Sequence, residues 1–184
     1  MKVALAGISK LSKVSAIDAQ TYFEFGQWCA KQGIDLLTGA CGGVPYEVGK
    51  GAVSAGGRVI GFSPATDKEL HVKHYDHPLD CCSEIIYYKD DDASMNSRFI
   101  LRSIPMIEMA DLLVSLDGSW GTMYELIIAL LNGKTIVVVE ESGGASQLFL
   151  NNYEELHSPA HYGETVIGVK TIEDLKDFLS DYKV

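Results

Sequence analysis

The chain has 184 residues, 47% of them hydrophobic and 22% charged, which predicts a single globular domain over residues 1–184. A formal charge of −10 makes the surface repel phosphate backbones, so we expect no nucleic-acid partner. No apolar run reaches the roughly 18–20 residues of a membrane span, and the four cysteines lack disulfide-scaffold spacing. We therefore expect a soluble, cytoplasmic protein with reduced thiols and no membrane partner.

Strand-like and helix-like segments alternate in the N-terminal half. Residues 3–7 form a continuous apolar run that predicts a buried strand. Ser15 and Asp18 have capping-box spacing and predict a helix that ends at Gly33. A second helix is predicted to begin near Pro45, because proline suits a first helical turn. Further strands are predicted at residues 34–38, 59–62 and 85–88.

The alternation continues in the C-terminal half. A helix follows the acidic run 90–92 and must kink or restart at Pro105. Thr171 and Asp174 have capping spacing and begin a closing helix. Strands at 112–116, 135–139 and 166–169, with a helix over 121–132, complete the prediction. The pattern predicts an α/β, Rossmann-like fold, a mostly parallel sheet with helices on both faces. Ligands of such sheets bind beyond the carboxyl ends of the strands.

One glycine-rich loop follows the second predicted strand. Residues 38–43 read Thr-Gly-Ala-Cys-Gly-Gly and lead into the helix near Pro45. Glycine lets backbone amides come close to an anion, and a helix N-terminus adds positive potential. A tight strand-to-helix turn uses glycine as well, so this loop alone indicates a plain turn as much as a phosphate site.

A second glycine-rich loop, residues 117–122, follows the strand at 112–116. Its glycines, its hydroxyls and the helix N-terminus after it have the composition of an anion site. Glu125 has two interpretations. Because it comes three residues after Thr122, spacing alone favours a capping box in which the carboxylate bonds the helix's own amides. In the other interpretation, the carboxylate takes part in catalysis.

The pattern Gly118-x-x-Gly121-Thr122-x-x-Glu125 resembles the Gly-Gly-x-Gly-Thr-x-x-Glu signature of the LOG (Lonely Guy) family in the SLOG superfamily. Residues 39–64 resemble the family's first nucleotide loop and following strand, so the likeness covers about residues 3–140. It implies hydrolysis of the N-glycosidic bond of nucleoside 5′-monophosphates, which releases the base and ribose 5-phosphate. Related members bind nucleotides or carry molybdenum cofactor. The label lysine decarboxylase, also used for the family, has no support, since no lysine lies in a recognisable pyridoxal-phosphate site.

Two features depart from the family pattern. Asp117 and Ser119 stand where the family has proline and glycine, and an acid there weakens anion binding unless it turns away. The arginine of the family's Met-x-x-Arg-Lys motif has two possible counterparts. Matching residue types places it at Arg98, and counting residues back from the second loop without a gap places it at Arg102. These arginines are four residues apart on one helical face, so both can reach one site. The alternative is that each pairs with the acidic run 90–92.

The resemblance implies Glu125 as the catalytic carboxylate, with Arg98 and Arg102 as catalytic arginines. Cleavage of an N-glycosidic bond builds positive charge on the ribose, which a carboxylate stabilises, or the carboxylate activates water. An arginine fork suits the 5′-phosphate or the departing base. The candidate nucleotide- and phosphate-binding residues are Gly7, Ser9, Thr38, Gly39, Gly42, Gly43, Gly118, Ser119, Gly121 and Thr122.

The histidines His71, His74 and His77 lie within seven residues and resemble scattered metal ligands. Their spacing on a loop interrupted by Pro78 fixes no coordination geometry, so a solvated loop is the better interpretation. We expect neither a metal site nor a resident cofactor.

We expect a nucleoside monophosphate or a similar phosphorylated small molecule as the partner. Two hypotheses compete with the hydrolase: a non-catalytic nucleotide or molybdenum-cofactor carrier or sensor, and an inherited scaffold without a ligand. The helix over residues 123–131 is apolar nearly all round, so it is buried either in the core or against a partner subunit. We therefore expect a homodimer or a larger homo-oligomer.

Overall fold

The computed structural model describes residues 1–11, 16–89, 93–156 and 162–182. Its strands are β1 (Lys2–Gly7), β2 (Asp35–Thr38), β3 (Val59–Ser63), β4 (Glu84–Tyr87), β5 (Leu112–Leu116), β6 (Thr135–Val139) and β7 (Thr165–Val169). They form one sheet in the order β4-β3-β2-β1-β5-β6-β7, in which every neighbouring pair is parallel. The predicted strands are all present, with bounds within one residue of those observed.

Helices cover both faces of this sheet, so the predicted Rossmann-like α/β fold is confirmed. They are α1 (Ala19–Lys31), α2 (Val44–Ser54), α3 (Lys68–Lys73), α4 (Met95–Leu101), α5 (Ser103–Met109), α6 (Trp120–Leu131), α7 (Gly144–Leu156) and α8 (Ile172–Asp181). One core joins α1, α2 and α8 to the sheet, and a second core joins α5, α6 and α7 to the opposite face. Within the described ranges, no helix is both long enough and apolar enough to cross a membrane.

Several helix ends differ from those predicted. Asp18 is the N-cap of α1, where its carboxylate accepts from the Thr21 amide at 2.8 Å, while Ser15 lies outside the described residues. The break before Pro105 occurs at Arg102, and proline then occupies the first turn of α5, where no amide donor is needed.

The capping box of Thr171 and Asp174 is confirmed. Helices α3 and α7 were not predicted: α3 has only six residues, and α7 begins at Gly144, the second of two consecutive glycines.

Helices α1 and α2 cross at backbone contact. A Cβ atom on Gly26 would lie 1.9 Å from the Val48 carbonyl oxygen, and one on Gly51 would lie 1.9 Å from the Phe23 carbonyl oxygen. No side chain larger than hydrogen fits at either point. The crossing therefore sets the position of α2 and of the glycine loop that precedes it.

The strand order reverses at β1. From β1 the chain builds β2, β3 and β4 on one side and then returns to place β5 on the other side. Gly7 at the end of β1 is in register with Leu116 at the end of β5, so the loops that follow them are neighbours. A crevice at such a switch point is the usual ligand site of an open parallel sheet.

Candidate functional site

A cavity of about 120 Å³ opens at the carboxyl ends of β1, β2 and β5. This is the position that the strand order predicts for a ligand site. Eight of the candidate residues line it: Gly7, Ser9, Gly39, Arg102, Ser119, Gly121, Thr122 and Glu125. Both glycine-rich loops thus contribute to one cavity.

Other candidate residues shape the loops without lining the cavity. The Thr38 hydroxyl accepts from the Ala40 amide at 3.2 Å and supports the first loop from behind. Gly43 has a φ of 70° and is the N-cap of α2, where a Cβ atom would lie 2.1 Å from the Ile8 carbonyl oxygen. Gly118 has a φ of 111°, and Gly42 packs against the backbone of Ser9. These four residues therefore determine the shape of the two loops and do not line the cavity.

The capping interpretation of Glu125 is wrong. Helix α6 begins at Trp120, with Ser119 as its N-cap, so Thr122 lies inside the first turn and Glu125 lies in the second. The carboxylate points across to the α4–α5 break, where Oε1 accepts from the Ser103 hydroxyl at 3.1 Å. The same oxygen lies 3.2 Å from Arg102 Nη2. Glu125 therefore forms a buried ion pair beside the cavity.

Burial controls the protonation of this carboxyl group. The Glu125 side chain is only 7% exposed. Burial raises its pKa above the ordinary value, although the Arg102 guanidinium and the Ser103 hydrogen bond oppose that rise. A carboxyl group with a raised pKa beside a cavity is suited to proton transfer near neutral pH.

Arg102 lies directly over the first glycine loop. A Cβ atom on Gly39 would lie 2.4 Å from Arg102 Nη1, so the guanidinium fits only because residue 39 is glycine. Two buried polar atoms at this point, Arg102 Nε and Thr122 Oγ1, have no hydrogen-bond partner among the described residues. Buried polar atoms almost always have hydrogen-bond partners, so two unpaired atoms beside one cavity are an exception that needs an explanation.

Arg98 does not line the cavity, although the helical spacing allowed it to share a site with Arg102. Its Nε donates to the Ala93 carbonyl oxygen at 3.1 Å, and its guanidinium carbon lies 6.0 Å from the centre of the Tyr88 ring. The break between α4 and α5 falls at Arg102, which turns only that arginine towards Glu125. The acidic run 90–92 lies outside the described residues.

Asp117 turns away from the cavity. It has a φ of 58°, and its Oδ1 accepts from the Gly118 amide at 2.7 Å. A Cβ atom on Gly144 would lie 2.4 Å from the same oxygen, which places the carboxylate against the start of α7. The acid that replaces the family's proline is therefore no obstacle to an anion.

Six residues that line the cavity were not among the candidates: Leu5, Cys41, Pro45, His77, Phe99 and Tyr124. Burial raises the pKa of Cys41 to about 11, which keeps it a neutral thiol. The Tyr124 hydroxyl donates to the Phe99 carbonyl oxygen at 3.1 Å. Tyr124 lies between Thr122 and Glu125 of the second motif, and Cys41 lies in the first glycine-rich loop, so their positions in the sequence were the available signals.

The interpretation of the histidine segment as a solvated loop is wrong for His71. That side chain lies in α3 and is fully buried, and His77 borders the cavity, whereas His74 is exposed. Within the part of the chain that the structure describes, no three His, Cys, Asp or Glu side chains are arranged to hold a metal ion.

Known proteins are similar to this chain in sequence or in structure. An uncharacterized protein from Archaeoglobus fulgidus is 29% identical over 122 residues, which are 65% of this chain and 70% of that protein. The crystal structure of TM1055 matches with a TM-score of 0.80 at 22% identity, over 98% of this chain and 99% of TM1055. The molybdenum cofactor binding protein from Rippkaea orientalis matches with a TM-score of 0.71 at 19% identity, over 97% and 94% of the two chains.

A further similar structure corrects one prediction. DNA processing protein A from Helicobacter pylori, described with a single-stranded DNA binding mode, has a TM-score of 0.70 at 18% identity. The match covers 100% of this chain and 82% of that protein. Excluding a nucleic-acid partner on net charge is therefore wrong, because a protein of this fold binds DNA. At this identity the likeness shows the fold alone.

The family assignment rests on the sequence itself. The SLOG cluster4 family model matches residues 1–175, which include both glycine loops and the Glu125 motif. The resemblance expected from those motifs is therefore confirmed at the level of the superfamily. The chain belongs to the SLOG cluster4 family.

Proposed function

We propose that this protein is a nucleoside 5′-monophosphate phosphoribohydrolase, which uses water to cleave the N-glycosidic bond and releases the base and ribose 5-phosphate. The observation that carries the proposal is the Glu125 carboxylate. It is buried beside the switch-point cavity, makes no helix cap and pairs with Arg102. Lysine decarboxylation has no counterpart among these residues.

The chemistry needs a carboxylate close to the anomeric carbon. As the bond to the base breaks, positive charge develops on the ribose, and the ionised Glu125 stabilises that charge or takes a proton from the attacking water. Its raised pKa brings it closer to the pH at which general bases are most effective. Arg102 and Ser103 hold Oε1, so Oε2 is the oxygen available for the reaction.

The start of α6 supports phosphate binding. The first amides of a helix have no intrahelical acceptor and carry the positive end of the helix dipole. The Ser119 side chain makes no capping hydrogen bond, so it does not occupy these amides. Ser119, Gly121 and Thr122 line the cavity, and the unpartnered Thr122 hydroxyl adds a further donor. A phosphate monoester matches this set of groups.

The test is release of adenine from AMP by the purified protein. We expect turnover by the wild type and a rate lower by about a hundredfold or more in Glu125→Gln, which loses the charge and the proton-accepting group. Glu108→Gln, which alters an exposed glutamate on α5, is the matched control and should keep the wild-type rate. Full activity in Glu125→Gln would remove the carboxylate from the mechanism.

A non-catalytic carrier is the second candidate. Structures similar to this one include molybdenum cofactor binding proteins, and the unpartnered donors Thr122 Oγ1 and Arg102 Nε suit the phosphate of a pterin as well as that of a nucleotide. A carrier would bind AMP or a phosphorylated pterin, with a higher melting temperature, and release no adenine. Stabilisation without product would therefore favour the carrier.

We also propose that the protein is a homodimer. Helix α6 packs one face into the core through Leu126 and Ala129, but three apolar residues on another face form an exposed stripe. In this α6 stripe, Trp120 is 86%, Ile127 47% and Leu131 51% exposed. Exposed contiguous apolar surface of this kind is typical of protein interfaces.

A further inference from the structure

Buried hydrogen bonds of His71 anchor the segment that leads from α3 to β4. His71 Nε2 lies 3.1 Å from the Pro78 carbonyl oxygen, which can only accept, so Nε2 carries the proton. His71 Nδ1 therefore accepts from the Ser63 hydroxyl at 2.8 Å. The His77 amide in turn donates to the His71 carbonyl oxygen at 3.1 Å. His77 is thus attached to the end of β3 by a rigid network.

Aromatic rings fix the orientation of the His77 side chain. The His77 ring stacks on Tyr75 at a centroid distance of 5.7 Å and meets the edge of His71 at 5.3 Å. Tyr75 also contacts Phe99 at 5.2 Å. His77 and Phe99, which this cluster joins through Tyr75, both line the cavity. The side chain is therefore held at the cavity wall without help from a ligand.

His77 is neutral at physiological pH. Burial lowers its pKa to about 4, with further lowering by His71 and Arg102 that exceeds the opposing effect of Asp76. A neutral imidazole gives no cation to a phosphate, but it offers one donor and one acceptor nitrogen.

The two ring nitrogens of His77 have different environments. Nδ1 is buried without a partner among the described residues, which leaves Nε2 as the nitrogen available at the cavity wall. A buried unpaired N–H is rarer than a buried unpaired acceptor, so the favoured tautomer carries its proton on Nε2. His77 then offers a neutral N–H donor at the cavity wall.

We propose that His77 is a specificity-determining residue that donates a hydrogen bond from Nε2 to an acceptor on the base of the bound nucleotide. This inference rests on the proposed function, because it takes the phosphate to lie at the start of α6. The aromatic side chains of His77 and Phe99 at the cavity wall then receive the planar ring. A donor there also stabilises the negative charge that the departing base acquires as the glycosidic bond breaks.

The experiment compares ligands with and without a base. Calorimetric titrations use AMP and ribose 5-phosphate in the Glu125→Gln background, in which AMP is consumed about a hundredfold more slowly. His77→Phe keeps a ring but removes both nitrogens, and it should weaken AMP binding by about tenfold, the effect of one lost hydrogen bond, without changing ribose 5-phosphate binding. His77→Gln places an amide N–H near the position that Nε2 occupies in His77, and it should keep the AMP affinity of the Glu125→Gln parent. His74→Phe, at an exposed histidine, is the control.

The outcomes separate the two proposals. If the parent binds AMP and His77→Phe binds it equally well, the role of His77 is wrong and the proposed function stands. If His77→Phe weakens AMP and ribose 5-phosphate alike, His77 is only structural. If the parent binds neither ligand, the proposed function fails and the role of His77 fails with it. Melting temperatures of all variants establish that they are folded.

Discussion

The ion pair of Glu125 and Arg102 is the chemical centre of the candidate site. The resemblance to the LOG family identified both residues, but spacing alone favoured a helix cap for Glu125, and the arginine motif pointed to Arg98 as well as to Arg102. The structure separates these alternatives because α6 begins before Thr122 and the α4–α5 break turns only Arg102 inwards. A local sequence motif shows neither where α6 begins nor which arginine the α4–α5 break turns inwards.

At this scale, the stability of Glu125 variants should depend on what remains beside Arg102. In Glu125→Ala the buried guanidinium loses its counter-charge, which costs about 3–5 kcal/mol of unfolding free energy. Glu125→Gln keeps an oxygen that accepts from Ser103 and Arg102, so its loss should be clearly smaller. Urea denaturation measures both, and equal losses would contradict a buried ion pair.

The Ser103 hydroxyl should shift the pH dependence of the reaction. If the protein is the proposed hydrolase, its activity needs an ionised Glu125 and falls at low pH, and the raised pKa of Glu125 places this fall at a higher pH than an ordinary glutamate would. The hydrogen bond from Ser103 favours the ionised form. Ser103→Ala should therefore raise the pKa further and move the acid limb of kcat/KM to higher pH. An acid limb that stays in place would exclude this role for Ser103.

At the scale of elements, the crossing of α1 and α2 is the most tightly constrained contact described. A Cβ atom on Gly51 would lie 1.9 Å from the Phe23 carbonyl oxygen, so Gly51→Ala must move one helix away from the other. We expect a loss of about 1–3 kcal/mol of unfolding free energy, as for other overpacked interiors.

The matched control for Gly51→Ala is Gly121→Ala. Gly121 lies in the first turn of α6, and a Cβ atom there meets nothing closer than 3.9 Å. Because alanine favours a helix more than glycine does, this variant should unfold at the same or a slightly higher denaturant concentration. Equal destabilisation of both variants would mean that the α1–α2 crossing is not the cause.

At the scale of the whole molecule, the α6 stripe should determine the oligomeric state. Sedimentation of the wild type should give twice the mass of the chain. Ile127→Glu combined with Leu131→Glu places two charges in the proposed interface and should give the mass of one chain. Leu148→Glu, at an exposed leucine on α7, should leave the dimer intact. A monomeric wild type at micromolar concentration would contradict the dimer.

The sequence by itself determined the order of the seven strands and of most helices, the two glycine loops and the superfamily. Apolar periodicity, glycine and capping residues act over a few neighbouring positions, so these features are readable without the fold. The sequence did not reveal α3, which has only six residues, or α7, whose first residue is the second of two consecutive glycines.

Only the tertiary structure decided which side chains meet at the cavity. Glu125 pairs with Arg102, Asp117 turns towards Gly144, and His77 reaches the cavity wall from a segment between β3 and β4. These contacts join residues that are distant in the chain. They depend on the reversal of strand order at β1 and on the angle at which each helix leaves its strand, and no local sequence pattern encodes either.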